Sequence, residues 1–290
     1  MSKRKEITGV TEIFGVMGYP VAHSLSPAMQ NKAFDYYELD KIYLAFAVPP
    51  NCLTQALNGL RALGVTGVNV TLPYKEVVAR QVDLLSPEAQ LIGAVNVLRF
   101  DQDRLVGHNT DGTGFLQSLE QDAGFTPAGK KVLVLGAGGA ARAVILTLAR
   151  FGAAQISIAN RTRQRATELA TEVEAKTGQK AVGLSLEPSE LKPWVPEADL
   201  VIQATSVGLY PKGESPSWFN PDWLSPTALV CDLIYRPRPS EFLKRAALRG
   251  CRTLDGLGML LYQGAQSFTW WTGLEAPVDV MRQSLLKQLG

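Results

Sequence analysis

Histidine and cysteine are scarce: two histidines, His23 and His108, and three cysteines, Cys52, Cys231 and Cys251, in 290 residues. The histidines lie far apart in sequence without a carboxylate or cysteine cluster beside them, so no metal-ligand spacing exists and no metal is expected. An odd cysteine count without a CxxC pair argues against a disulfide framework. A reducing, cytoplasmic setting is expected, with all three thiols acting as small buried or half-buried apolar groups. No apolar run approaches about 18 residues, and the basic start, MSKRK, is not followed by an apolar stretch, so neither a membrane span nor a signal peptide is expected. Neither sign of charge is in excess: 29 basic against 27 acidic residues leave +2, too little to imply a nucleic acid or other polyanion as partner. Arg236, Arg238 and Arg245 read as solvated loop and helix charges.

What remains is a composition of 46% hydrophobic and 19% charged residues without low-complexity tracts, enough for one large or two modest globular domains. Short apolar runs alternate with helical stretches: Ile42 to Val48, a helix near Leu53 to Leu63, Thr66 to Val70, then a helix from Lys75. This rhythm predicts a parallel, helix-covered sheet. It restarts after the turn-rich segment Gly124 to Gly129 with a strand at Val132 to Leu135. Further strands follow near Ile156 to Ala159, Leu200 to Ala204 and Leu229 to Leu233, each apolar enough to be buried on both faces. A helix around Glu241 to Arg249, a brief strand at Arg252 to Leu254 and a glycine turn at Asp255 to Gly258 precede two helices separated by Gly273 and Pro277. Phe268, Trp270 and Trp271 in the first of these read as packing residues.

The segment Gly136-Ala137-Gly138-Gly139-Ala140-Ala141 lies directly between a strand and a helix. Gly136 permits the tight turn, Gly138 lets backbone approach a pyrophosphate, and Ala141 is small enough for close helix-strand packing. The free N–H groups and positive dipole end of the helix favour phosphate. Which dinucleotide binds is decided at the end of the following strand, where the adenosine ribose lies. There the chain reads Asn160-Arg161-Thr162, with Arg163 and Arg165 next. No carboxylate is placed to accept from a 2′-hydroxyl, whereas Arg161 and Arg165 can hold a 2′-phosphate, so the cofactor is expected to be NADP.

In the first half, Gly18 to Pro27 carries two hydroxyls, Ser24 and Ser26, just before a helix. Such a set suits either a helix cap or a carboxylate ligand. Asn69 to Lys75 places Thr71 and Lys75 at a strand's carboxyl end, where open α/β sheets bind ligands. With Gly93-Ala94-Val95-Asn96, Gly107 to Gly112 and Tyr262-Gln263-Gly264-Ala265, these motifs make the sequence similar, over essentially its whole length, to the shikimate dehydrogenase family. The resemblance implies an NADP-linked, reversible reduction of 3-dehydroshikimate to shikimate in aromatic amino-acid biosynthesis. It further implies that Ser24 and Ser26 bind the substrate carboxylate, that Thr71, Lys75, Asn96, Asp111 and Gln263 hold the ring hydroxyls, and that Lys75 and Asp111 are the catalytic pair. The glycine turn (Gly136, Ala137, Gly138, Gly139, Ala140) would hold the pyrophosphate, and Asn160, Arg161, Thr162 and Arg165 would surround the adenosine phosphate. Thr205, Ser206, Val207, Gly258 and Met259 would line the nicotinamide side, with Tyr235 there and against the substrate.

The chemistry agrees with that assignment. Hydride addition to a ketone leaves an alkoxide that needs a nearby proton donor, and a lysine with a carboxylate partner is a suitable one. The expected architecture is two-domain α/β: a mainly parallel substrate domain of residues 1–111 and 256–290, with a Rossmann NADP domain of 112–255 inserted. The active site is expected in the cleft between them, as a monomer or homodimer. Two other functions fit less well. A broader quinate/shikimate dehydrogenase must admit an extra hydroxyl at the carboxylate-bearing carbon, where Ser24 and Thr71 add bulk. A non-catalytic NADP- or shikimate-binding regulator need not keep both Lys75 and Asp111.

Overall fold

The alternating runs condense into two six-stranded sheets, in a computed structural model that describes residues 6–101, 104–208 and 216–289. The chain divides into two compact units, Met1–Thr110 with Leu261–Gly290, and Asp111–Leu260.

The first unit contains β1 (Glu12–Gly18), α1 (Ser26–Tyr36), β2 (Lys41–Ala47), α2 (Leu53–Ala62), β3 (Gly67–Val70), α3 (Lys75–Val78), β4 (Leu84–Leu85), α4 (Pro87–Ile92), β5 (Val97–Asp101) and β6 (Arg104–His108). Its strand order is β2-β1-β3-β5-β6-β4. β1 runs parallel to β2 and β3, but β5 is antiparallel to both β3 and β6. The sheet is therefore mixed, where the rhythm alone suggested parallel strands. The reason lies in the link between β5 and β6: two residues separate them, and a parallel pair needs a crossover of a dozen or more. The reversal brings the start of β5 to the edge where β1 and β3 end, since Asn69 pairs with Val97 and Val97 with His108.

The second unit holds α5 (Asp111–Ala123), β7 (Lys131–Leu135), α6 (Gly139–Arg150), β8 (Gln155–Asn160), α7 (Arg163–Thr177), β9 (Lys180–Ser185), α8 (Pro188–Leu191), β10 (Leu200–Gln203), β11 (Leu229–Asp232), α9 (Glu241–Leu248) and β12 (Arg252–Leu254). Its strands are all parallel, in the order β12-β11-β10-β7-β8-β9. Counted from β7, this is 3-2-1-4-5-6 read from the β9 edge, the doubly wound order that opens a crevice where the winding reverses, between β7 and β10. Every residue of β10 and β11 is buried, which is why their runs lack alternation.

Two helices complete the chain, α10 (Leu257–Thr272) and α11 (Val278–Leu289). The aromatic residues of α10 divide their tasks. Phe268 is fully buried, and Trp271 packs on Phe14 with ring centroids 5.2 Å apart while its indole N–H donates to the Leu98 carbonyl at 3.0 Å. Trp270 instead lies between the Arg99 guanidinium, 4.7 Å from its ring centre, and His108, 5.3 Å away. Of the cysteines, Cys231 and Cys251 are buried but Cys52 is exposed, against expectation. It ends a short 3-10 turn ahead of α2, whose buried face is Leu53, Leu57 and Leu60.

Candidate functional site

The first unit gathers its polar groups at one sheet edge. β1 and β3 end there, so Thr71 follows β3 with its N–H donating to the Met17 carbonyl at 2.9 Å. Its methyl covers Gly18 so closely that a Cβ on that glycine would lie 2.3 Å from it. Lys75 starts α3 half-buried, and its carbonyl accepts from Val95 N–H at 2.8 Å. Asn96, just before β5, is buried; its Nδ2 donates to Thr110 at 3.0 Å and to Gln263 Oε1 at 3.3 Å, while its Oδ1 accepts from Thr110 N–H at 2.8 Å. Asn96 and Gln263, 167 positions apart, thus meet.

The two serines are not used as helix caps: α1 has Leu25 at its N-cap position and no side-chain cap bond. Ser24 Oγ accepts from Ser26 N–H at 3.3 Å, and Ser26, buried, hydrogen-bonds the Tyr43 phenol. Tyr43 O–H in turn donates to Asn69 at 2.7 Å, and Asn69 donates to Ser267 at 3.0 Å, whose hydroxyl donates to the Gln263 carbonyl at 2.8 Å. Burial pushes the Tyr43 hydroxyl well above its ordinary pKa, so it stays a neutral donor. A continuous buried chain of hydrogen bonds therefore links the neighbourhood of Ser26 to that of Gln263. Gln30, fully buried, adds a strut by donating to the Gly264 carbonyl at 2.8 Å.

The second unit supplies a different surface. Gly136 follows β7 with φ +124°, and a Cβ there would lie 3.0 Å from the Ala204 carbonyl, so only glycine fits the turn. Beyond it, a Cβ on Gly138 would meet nothing within 4 Å, leaving the backbone open to a ligand. The N–H groups of Gly139, Ala140 and Ala141, opening α6, have no acceptor among the described residues. At the end of β8, Asn160 Nδ2 donates to the Thr162 carbonyl at 3.0 Å. Arg161 and Arg165 are exposed with no side-chain partner among the described residues, whereas Arg163 pairs with Glu190 at 3.1 Å. Two arginines are thus left available at the end of β8, with a helix start whose open N–H groups suit an anion at the end of the neighbouring β7.

Three comparisons bear on these surfaces. Residues 16–98 match a family model described as the shikimate dehydrogenase substrate binding domain, 119–210 one described as shikimate / quinate 5-dehydrogenase, and 256–286 the shikimate 5'-dehydrogenase C-terminal domain. A shikimate dehydrogenase (NADP(+)) of Methanopyrus kandleri is 46% identical over 289 residues, covering 100% of both chains. The chain belongs to the shikimate dehydrogenase family. Among solved structures, the Thermus thermophilus shikimate 5-dehydrogenase in complex with NADP(H) and shikimate is 40% identical, with TM-score 0.84 over 95% of this chain and 99% of that one. A quinate dehydrogenase of Corynebacterium glutamicum in complex with NAD is 30% identical, with TM-score 0.86 over 96% and 99%.

For this shikimate dehydrogenase family member, the remaining expected residues also have defined places. Asp111 is buried as the first residue of α5. Thr205, Ser206 and Val207 form the turn after β10, and half-buried Tyr235 follows β11, its phenol pKa raised by burial. Gly258 and Met259 stand in the first turn of α10; a Cβ on Gly258 would lie 2.1 Å from Ser118 Oγ, so close packing on α5 requires the glycine. His108, which had no cluster beside it in sequence, has partners in space: Ser86 Oγ at 2.7 Å, Glu88 at 3.8 Å and the Trp270 ring. Burial lowers its pKa, with Glu88 opposing, so it is held as a neutral packing residue. Sequence reasoning passed over Tyr43, Asn69, Gln203, Asp232 and Ser267. For Asn69, Gln203 and Asp232 the signal was a polar residue in an otherwise apolar run.

Proposed function

We propose that this chain catalyses the NADP-linked, reversible reduction of 3-dehydroshikimate to shikimate, the step its family performs in aromatic amino-acid biosynthesis. The observation that carries the reading is the set at the first unit's sheet edge: hydroxyls of Ser24, Ser26 and Thr71, the Lys75 ammonium, and the Asn96 and Gln263 amides. They suit a small ring bearing a carboxylate and several hydroxyls. The order of hydrophobic and polar contacts is reversed from that of an apolar pocket, since nearly every group offered is a hydrogen-bond partner. Ser24 and Ser26 hold the carboxylate in this reading; Thr71, Asn96 and Gln263 hold ring hydroxyls.

The second unit fits NADP, with the amides from Gly138 onward toward the pyrophosphate and Arg161 and Arg165 toward the 2′-phosphate. When bound, the reduced nicotinamide supplies hydride to the ketone carbon. Lys75 then donates a proton to the alkoxide oxygen that develops, and Asp111 accepts from a ring hydroxyl and so orients the substrate. Reverse flow uses the same groups, with Lys75 as the base. The chain's residues 1–111 and 256–290 serve substrate and 112–255 serve cofactor.

A broader activity toward quinate is the second reading, favoured by the likeness to a quinate dehydrogenase. Against it stands Thr71, whose methyl lies close over Gly18 and adds bulk where a further hydroxyl would have to fit. The test is direct: purified protein with shikimate and NADP should raise absorbance at the reduced-nicotinamide band, and 3-dehydroshikimate with NADPH should lower it. Silence in both directions, from protein shown to be folded, would sink the proposal.

A further inference from the structure

β10 and β11 lie side by side beyond the point where the second sheet reverses its winding, and β10 ends in a polar residue that is completely buried, Gln203. A buried amide without partners is costly, yet this one is fully engaged. Its Oε1 accepts from Thr205 N–H at 2.8 Å; its Nε2 donates to the Val207 carbonyl at 2.8 Å and reaches the Thr205 carbonyl at 3.5 Å. The side chain therefore clasps its own following turn, from both the donor and the acceptor side. Thr205 Oγ1 tightens the same turn by accepting from Val207 N–H at 3.2 Å. The backbone of Gln203 is itself fixed, its carbonyl accepting from Leu233 N–H at 2.9 Å, and Ala204 N–H donates to the Leu135 carbonyl at 2.8 Å.

The location gives this clasp its consequence. The Ala204–Thr205 backbone is what a Cβ on Gly136 would strike, at 3.0 to 3.2 Å, so the clasped turn forms the wall of the crevice facing the glycine turn. We infer that Gln203 is a positioning residue for the cofactor: by fixing the Thr205–Val207 turn it sets the wall against which the nicotinamide half of NADP lies, while the adenosine half is held independently near Arg161 and Arg165. The inference rests on the reading of the second unit as an NADP site. Gln203 touches the cofactor only through that turn.

The test compares wild type with Gln203→Met, which keeps the volume and removes both hydrogen-bonding ends. Wild-type turnover with shikimate and NADP checks the underlying reading first; its absence would condemn that reading, not this inference. Given turnover, Gln203→Met should weaken NADPH binding about tenfold, as loss of the ordering bonds predicts, measured by nucleotide fluorescence. Binding of adenosine 2′,5′-bisphosphate, which lacks the nicotinamide half, should be unchanged. In the ligand-free protein, exchange of the Thr205 amide hydrogen should accelerate by about the same factor, while the Ala204 amide keeps its protection. If Gln203→Met does not fold, Gln203→Asn, whose amide is one methylene too short to span both partners, should show the same split between the two ligands to a smaller degree. Equal weakening of both ligands, or unchanged NADPH binding with unchanged Thr205 exchange, would overturn the inference.

Discussion

Lys75 enters as the first residue of a helix only four residues long, half-buried and anchored through its carbonyl to Val95. Its backbone is thus held at the start of the helix. Lys75→Ala should lower kcat by about 10²- to 10⁴-fold, the usual worth of a positioned acid or base, with the shikimate dissociation constant moved far less. A loss confined to binding would assign Lys75 to substrate recognition instead. Arg161 poses the complementary case, an exposed cation without a partner among the described residues. Arg161→Ala should raise KM for NADP by about 10- to 100-fold, matching about 1.5–3 kcal/mol for a charged hydrogen bond, and leave KM for NAD unmoved; equal changes for both would show that it does not read the 2′-phosphate. The positions of these two residues were legible in the sequence because each follows a strand end, where open α/β sheets bind ligands. Gln30 and Asn69 were not, because their partners, Gly264 and Ser267, stand 234 and 198 positions away. No local pattern marks a buried amide as satisfied.

At the scale of elements, β11 and α9 are joined by one acid. Asp232 ends β11 buried, accepting from Ile234 N–H at 3.0 Å and from Ser240 Oγ at 2.6 Å, while Ser240 caps α9 by accepting from Leu243 N–H at 3.3 Å. Burial outweighs these bonds and pushes its pKa from 3.8 up to about 6. The native state therefore binds this proton more tightly than the unfolded chain. Its contribution is complete below about pH 4 and is lost as pH rises through 6. Asp232→Asn, which carries no charge to desolvate, should gain stability relative to wild type as pH rises from 5 to 7.5, by on the order of 1 kcal/mol. Paired thermal melts would show this, and a gap that stays flat or narrows would contradict it. Packing between α10 and the first sheet makes a second prediction: a Cβ at Gly67 would lie 2.5 Å from the Trp271 indole, so Gly67→Ala should destabilise by about 1–3 kcal/mol, read as a lower denaturant midpoint. An unchanged midpoint would mean that the indole moves freely. The strands read most easily from sequence were the buried parallel ones. β9 escaped notice because it is an edge strand in which only Leu184 is fully buried, so its run lacks the apolar density of its neighbours. The direction of β5 escaped because rhythm reports that strands alternate with helices and is silent on a two-residue link.

For the molecule as a whole, the order of strands in the second unit and the polar edge of the first suit separate halves of the proposed chemistry, one a dinucleotide and one a hydroxylated acid. The sequence motifs pointed to both edges because each motif lies at a strand terminus, and sheet order then explains why those termini converge within each unit. No helix among the described residues is long and apolar enough to cross a membrane. The central claim is that these halves serve a single reaction with a defined substrate and cofactor. Initial rates of nicotinamide reduction, measured with shikimate or quinate as substrate and NADP or NAD as cofactor in all four pairings, test it most directly. The expected result is a kcat/KM for shikimate with NADP well above every other pairing, by about 10²-fold or more over NAD as two lost charge-assisted contacts imply. Comparable efficiency with quinate or with NAD would contradict the roles given to Thr71 and to Arg161 and Arg165.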